Sequence, residues 1–286
     1  MTLTVIPAAL IGLLGLLLAG SVVQVDGMAA AQNPEPVVFR LYVPQFHAAP
    51  PVKLGLSGAT AEQAVVIGGN WYYNWGTQGR STDDVEYVPM IWGAEHMGDV
   101  VPRGSRWLLG FNEPDGQSLV TPERAAELWR ELERRYPGVK LVSPAPSHLD
   151  PAWLVRFRNA YIGRYGAPPR LDALAFHGYF ATAEELIALA EQYLAWADAW
   201  GVSEVWCTEY AFLPGWSGDA WAWETAEWLG WVARTPRLTR HSPFIGFLEI
   251  PHWSWPTDDP LLDPSLFTEQ GGLVLTDIGR AYAGRN

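Results

Sequence analysis

The sequence predicts an α/β protein folded as a single (β/α)8 TIM barrel, and three observations carry that expectation. From residue 37 onward, short apolar or β-branched runs alternate with amphipathic helical patterns. Such alternation means parallel strands joined by crossover helices. The runs number eight, the count of a closed barrel. No GxGxxG or GxxxxGK(S/T) loop follows the first run, although an open doubly wound sheet would more often carry one.

The expected strands are Val37–Val43 (VVFRLYV), Asn70–Trp75 (NWYYNW), Val85–Trp92 (VEYVPMIW) and Trp107–Asn112 (WLLGFN). Lys140–Pro144 (KLVSP), Leu171–His177 (LDALAFH), Glu204–Tyr210 (EVWCTEY) and Phe244–Trp253 (FIGFLEIPHW) complete the set. Between them the helices announce their own ends. Thr121-Pro122 reads as an N-cap with proline at the first helical position, and Ala125, Leu128, Trp129 and Leu132 follow at helical spacing before Gly138. Asp150-Pro151 repeats the device ahead of Trp153, Leu154, Phe157 and Tyr161. Thr182-x-x-Glu185 is a capping box for a helix that Gly201 stops, and residues 219–233 form a further Trp-rich helix.

In such a barrel the reacting groups sit where strands end, at the C-terminal face. The expected strands end on Asn74 and Trp75, on Trp92, on Asn112 and Glu113, on Ser143 and Ser147, on His177 and Tyr179, on Glu209 and Tyr210, and on His252 and Trp253. A passive core would continue in Leu, Val and Ile instead. Glu113 closes strand four and Glu209 closes strand seven, so the two carboxylates face each other obliquely across the mouth. Strict alternation places Cys207 and Glu209 on one inward face. Two facing carboxylates are what glycoside hydrolysis requires, one to protonate the leaving oxygen and one to attack the anomeric carbon.

The remaining candidates are weighed against this pair. Trp75, Trp92 and Trp253 are the expected sugar platforms, and Trp216, Trp221 and Trp223 an expected cleft wall. Asp115 reads as a cap on a short helix after Pro114, Glu249 as a buried partner of an Arg, and His241 as a surface residue. The six His show no HExxH spacing, so no metal and no cofactor is expected. No GxSxG elbow surrounds Ser143 or Ser147.

The order WYYNWG (71–76), YVPMIWG (87–93), LLGFNEPD (108–115), SPA (143–145), FHGY (176–179) and WCTEY (206–210) resembles glycoside hydrolase family 128, in the large clan of retaining (β/α)8 glycosidases. The resemblance covers roughly residues 70–285 and includes GGLVLTDIGRAYA (271–283), which looks like a closing strand and helix. It implies an enzyme cutting β-1,3-glucan, with Glu113 as acid/base and Glu209 as nucleophile. It further implies that Asn112 binds the 2-hydroxyl beside the scissile bond, that His177 and Tyr179 orient the nucleophile, and that Trp253 is the platform at the cleavage point. Asn74, Trp75, Trp92 and Tyr210 complete the expected substrate-binding set. A β-glucan-binding protein without catalysis and a wall-glucan transglycosylase are the alternatives on the same scaffold.

Outside the catalytic domain, expected at 37–286, lie two shorter segments. Residues 1–27 are apolar through Ile11–Ala19, as in an export signal or N-terminal membrane anchor, although the first Arg or Lys is Arg40. Residues 28–36 read as a linker. The protein is therefore expected to be secreted or membrane-anchored on the extracellular side, and monomeric. The net charge of −12 argues against nucleic acid as a partner, and the single Cys207 excludes an internal disulfide.

Overall fold

Gly55 is the reason the barrel's first strand does not look like one. A Cβ at that position would meet the Trp71 indole at 2.1 Å, so only glycine lets the ring lie across the backbone. The strand, β1 (Lys53–Ser57, KLGLS), belongs to a computed structural model that describes residues 53–212, 218–246, 266–269 and 272–282. The strand expected at Val37–Val43 lies outside the described residues, and the ring is complete without it.

The other strands are β2 (Trp71–Tyr73), β3 (Glu86–Tyr87), β4 (Trp107–Leu109), β5 (Lys140–Val142), β6 (Ala173–Phe180), β7 (Glu204–Phe212) and β8 (Leu238–Pro243). All pair in parallel in the order β3-β2-β1-β8-β7-β6-β5-β4. Beyond β3 the chain stays extended and reaches β4. Leu109 N–H donates to the Pro89 carbonyl at 2.9 Å, Ile91 N–H donates to the Leu109 carbonyl at 3.1 Å, and Met90 bridges Leu109. That contact closes the ring, so the fold is the expected α/β (β/α)8 barrel.

The eighth strand corrects the sequence reading. It occupies Leu238–Pro243 rather than Phe244–Trp253, and Phe244 extends it by donating its N–H to the Tyr210 carbonyl at 2.8 Å. LTRHSP does not read as a strand because Arg240 turns into the barrel and His241 turns outward under the helices. His241 is 4% exposed, against the expectation of a surface residue. Glu249, His252 and Trp253 lie outside the described residues, as do Trp216 and the side chain of Trp221.

Alternation sorts the strand residues into two layers. Leu108, Leu141, Leu174, Phe176 and Val205 face out and pack against Leu128, Trp129, Leu154, Phe157, Leu186 and Tyr193. Those partners sit on α2 (Pro122–Arg135), α3 (Ala152–Tyr165) and α4 (Ala183–Trp200). Each fully buried side chain of this size contributes about 1.5–3 kcal/mol. Facing inward are Trp71, Tyr73, Trp107, Leu109, Ala173, Ala175 and Trp206. The small Ala173 and Ala175 leave room for the indoles.

The caps behave as the sequence implies, with two exceptions. Thr121 accepts from Arg124 N–H, Thr182 and Glu185 form the capping box, and Gly201 ends α4 at φ 71°. Asp150 does not cap α3: Pro151 occupies the N-cap position and makes no side-chain cap bond. The short helix α1 (Ala61–Val66) carries a second capping box, Thr60 with Gln63, that hydrophobic periodicity does not reveal over so few residues. The helix α5 (Gly218–Arg234) follows β7, and α6 (Asp277–Tyr282) follows an antiparallel bridge between Phe267 and Leu275, as the tail motif implied. Among the described residues no helix is long and apolar enough to cross a membrane.

Candidate active site

Asn112 and Glu113 reach the barrel mouth because β4 continues past Leu109 with support on both sides. Asn112 N–H donates to the Trp92 carbonyl at 2.9 Å and Glu113 N–H to the Ala145 carbonyl at 2.9 Å. Gly110 is required for that approach, since a Cβ there would lie 2.8 Å from both Pro144 N and the Trp129 ring. At Glu113 the backbone turns to φ 36°, a region a side chain enters at a cost of about 1–3 kcal/mol. The turn is held by the Glu113 carbonyl, which accepts from Gly116, Gln117 and Ser118 N–H at 3.0, 2.7 and 3.2 Å. One turn later Gln117 therefore hangs over the Glu113 carboxylate, and its Nε2 donates to Oε2 at 2.6 Å.

Glu209 arrives inside the barrel through a bulge. Trp206 packs inward with Trp71 and Trp107, so strict alternation would send Thr208 in and Glu209 out. The β6–β7 register slips by one between the pairs Phe176–Cys207 and His177–Glu209, leaving Thr208 as the extra residue. The slip recurs against β8, where Cys207 pairs His241 and Tyr210 pairs Pro243. A bulge re-aims the residue after it. Glu209 thus points into the mouth, while Cys207 and Tyr210 pack outward under the helices. The expectation that Cys207 shares the face of Glu209 is corrected by this one residue.

With Gln117, five side-chain donors surround the two acids. Tyr73 OH and Trp75 Nε1 each donate to Glu209 Oε1 at 2.8 Å, and Tyr179 OH donates to Oε2 at 2.5 Å. His177 Nδ1 lies 2.9 Å from Glu113 Oε1 and 3.4 Å from Glu209 Oε2. His177 is fully buried, Glu113 is 8% exposed and Glu209 2%. One ligand atom from each of the three lies within 4.8 Å of the others, so the trio could also hold a metal ion. His177 Nε2 and Asn112 Oδ1 are buried with no hydrogen-bond partner.

The electrostatics depart from the simplest picture of a raised general acid. Burial pushes the Glu113 carboxyl up, but the His177 and Gln117 donors and the His177 charge outweigh it, and the group lies below its ordinary value. Burial pushes His177 down, but Glu209 and Glu113 outweigh it, and the imidazole lies above its ordinary value. The two shifts bias the proton between them toward the imidazole. Burial, followed by the Glu209 charge, holds the Tyr73 and Tyr179 phenols well above their usual range, so both remain donors.

Of the expected substrate-binding residues, Trp75, Asn112, His177 and Tyr179 meet at the acids. Trp75 does so as a hydrogen-bond donor, with its ring edge-on to Tyr73 and Phe244 at 5.8 and 6.1 Å. Trp92 is half-buried and packs edge-on to His96 at 5.6 Å. Asn74 does not reach the acids, because its Nδ2 donates to the Gln78 carbonyl and its Oδ1 accepts from Tyr87 OH. Tyr210 is excluded by the bulge and sits fully buried against Trp228, 5.4 Å between ring centres. Asp115 is no helix cap, since it accepts from Ser147 N–H at 2.9 Å and ties the β4 and β5 loops together. Trp223 on α5 is 69% exposed.

Gln117 is not among the residues expected from sequence, and Tyr73 stands at the expected end of strand two without an assigned role. Tyr73 carried a signal, the shared parity of Trp71, Tyr73 and Trp75. Gln117 carried none, because its place depends on the turn at Glu113.

Residues 59–282 match the family model described as the glycosyl hydrolase catalytic core. Among solved structures the chain is similar to a family 128, subgroup II endo-β-1,3-glucanase from Sorangium cellulosum. The identity is 27%, the match covers 81% of this chain and 97% of that chain, and the TM-score is 0.63. In fold it is also similar to a subgroup III curdlan-specific exo-β-1,3-glucanase from Blastomyces gilchristii in complex with glucose, at 24% identity, 81% and 97% coverage and TM-score 0.61. A third similar structure is a subgroup I endo-β-1,3-glucanase variant from Amycolatopsis mediterranei in complex with laminaripentaose, at 24% identity, 82% and 100% coverage and TM-score 0.63. No curated protein matches the chain.

Proposed function

The chain belongs to the glycosyl hydrolase catalytic core family and is a glycoside hydrolase, and from that premise we propose that it cleaves β-1,3-glucan with retention, Glu209 being the nucleophile and Glu113 the acid/base. The observation that carries this reading is the 4.8 Å limit on the spacing of the two carboxylate oxygens around His177. Retaining glycosidases keep their carboxyls about 5–5.5 Å apart, and inverting ones about 6.5–9.5 Å, to admit a water. The linkage comes from the similar family 128 structures, which are β-1,3-glucanases.

A Glu209 carboxylate oxygen attacks the anomeric carbon while the bond to the leaving oxygen breaks. The proton that His177 and Glu113 share across 2.9 Å passes through Glu113 to that oxygen, leaving Glu113 ionised and His177 neutral. The ester on Glu209 no longer carries charge, which removes the largest influence holding the imidazole protonated. Glu113 then takes a proton from water as the water attacks the ester and frees Glu209. Three donors hold the Glu209 carboxylate fixed for attack. Asn112 Oδ1, buried and unpartnered, offers an acceptor to a sugar hydroxyl. Residues 1–27 direct export or anchoring in this reading, which the mass of the extracellular protein tests.

Reducing-end release from laminarin and curdlan, set beside β-1,4- and mixed-linked glucans, tests the substrate. Longer products in an oligosaccharide digest would assign transglycosylation instead. Glu209→Ala is expected to reduce turnover to background, with partial rescue by azide as a glycosyl azide of inverted configuration. A Glu209→Ala variant that turns over glucan at the wild-type rate overturns the assignment.

A further inference from the structure

A chain of amides leads from the acid to the sugar site. Asn112 Nδ2 donates to Gln117 Oε1 at 3.3 Å, and Gln117 Nε2 donates to Glu113 Oε2 at 2.6 Å. At the far end, Asn112 Oδ1 is buried and has no partner. This polarity is dictated by charge. An ionised carboxylate only accepts, so Gln117 must turn its NH2 toward Glu113 and its carbonyl toward Asn112. When the carboxyl carries its proton on Oε2 instead of on Oε1 beside His177, Oε2 donates and the order inverts. Gln117 Oε1 must accept from Glu113, Gln117 Nε2 must face Asn112, and Asn112 must answer with Oδ1, leaving its NH2 free.

We infer that Gln117 is a positioning residue that links the protonation of Glu113 to the hydrogen-bonding face Asn112 leaves for a sugar hydroxyl. Asn112 presents donors while Glu113 is the acid and an acceptor once Glu113 has become the base. The inference rests on the reading of Glu113 as acid/base. It fits the construction of the turn, which spends three N–H donors on one carbonyl and a positive φ to suspend Gln117 above Glu113. The other groups acting on the Glu113 carboxylate are His177 from β6, Glu209 from β7 and His148 from the loop after β5, with the Tyr73 and Tyr179 phenols behind them. None of these touches Asn112 in a way that could replace Gln117 as the link.

The test is the pH dependence of kcat/KM on laminarin for wild type, Gln117→Met, Asn112→Ala and the double variant, with Glu113→Gln as the control. Met keeps the stem of Gln117 and removes the amide at a half-buried loop position, so the fold is retained. Loss of one charge-assisted donor raises the Glu113 pKa, and the alkaline limb moves up by about one pH unit. Asn112→Ala shifts the same limb in the presence of Gln117 and leaves it in place in the Gln117→Met background. A Gln117→Met profile that superimposes on wild type overturns the relay, as do shifts that simply add. If Glu113→Gln is inactive while Gln117→Met titrates like wild type, the relay alone fails. If Glu113→Gln keeps full activity, the acid/base reading fails with it.

Discussion

At the floor of the barrel Arg240 is 2% exposed, with its guanidinium 4.1 Å from the Trp206 ring centre, 5.4 Å from Trp71 and 5.5 Å from Trp107. At the mouth, Glu113 and Glu209 are buried to a similar degree around His177. Both ends hold charge where water does not reach, yet they resolve it in opposite ways. At the floor, Glu86 receives Arg240 at 2.7 Å, Arg106 at 3.0 Å and Lys53 at 3.8 Å, and burial's upward push on its carboxyl is outweighed by the cations. Arg240 Nη1 has no hydrogen-bond partner, and the three indole faces offset that. At the mouth two acids share one imidazole, His177 Nε2 and Asn112 Oδ1 are left bare, and Glu113 has a positive φ. The floor is satisfied in itself. The mouth is completed only by what binds there, which is the division between stability and catalysis that this architecture imposes.

The comparison breaks most visibly under exchange of the two ends. Glu209→Ala is expected to abolish turnover and to leave the melting temperature near that of wild type, since removal of a like charge beside Glu113 offsets the Tyr73, Trp75 and Tyr179 donors it orphans. Arg240→Met is expected to cost roughly 1–3 kcal/mol, because Glu86 loses its nearest cation while Arg106 and Lys53 remain. Its specific activity per folded molecule should remain that of wild type. Thermal melts and initial rates on one preparation of each decide the matter. An Arg240→Met protein that melts normally but has lost activity would show that the floor serves the chemistry after all.

The next effect concerns the outer layer, where His241 contrasts with His177. At the mouth the two acids push the same residue type up, against burial. Behind Tyr210, burial pushes it down to about 3. The unfolded chain protonates His241 below about pH 6.5, whereas the folded chain does so only near 3. Its contribution to stability is therefore complete above pH 6.5 and declines as the pH falls through that interval, by roughly 2–3 kcal/mol at pH 4.5. His241→Phe, which suits a site lined by Tyr210, should melt at more nearly the same temperature at pH 7 and pH 4.5. If its melting temperature falls in parallel with wild type, acid sensitivity resides elsewhere, with the carboxyls of the mouth as the next suspects.

The sequence made the barrel legible wherever local signals agree with the global fold. The helix caps at Thr121 and Thr182, the polar strand ends, and the pair Glu113 and Glu209 were all readable, because each is a local device or a repeated period. What escaped depends on contacts between distant residues. β1 hides behind Gly55, whose role is visible only once Trp71 lies over it. β8 hides behind Arg240 and His241, polar residues whose partners sit on β2, β3, β4 and β7. The bulge at Thr208 defeats parity, and it decides that Glu209 rather than Tyr210 enters the site. Gln117 depends on a turn that no periodicity encodes.

Tyr73 is the residue that belongs to both ends, and it gives the finest test of their separation. Its ring stacks on Trp71 at 5.9 Å and 10°, continuing the aromatic layer of the floor, while its hydroxyl donates to Glu209 at 2.8 Å. Tyr73→Phe keeps the stack and removes the donor. Two other donors, Trp75 and Tyr179, still hold Glu209. The expected loss in kcat/KM is therefore about tenfold, the value of one hydrogen bond to a charged acceptor. The melting temperature should change little, because the ring that packs the floor is still present. A Tyr73→Phe protein that loses stability while keeping its rate would place this hydroxyl with the floor and erase the boundary drawn between the two ends.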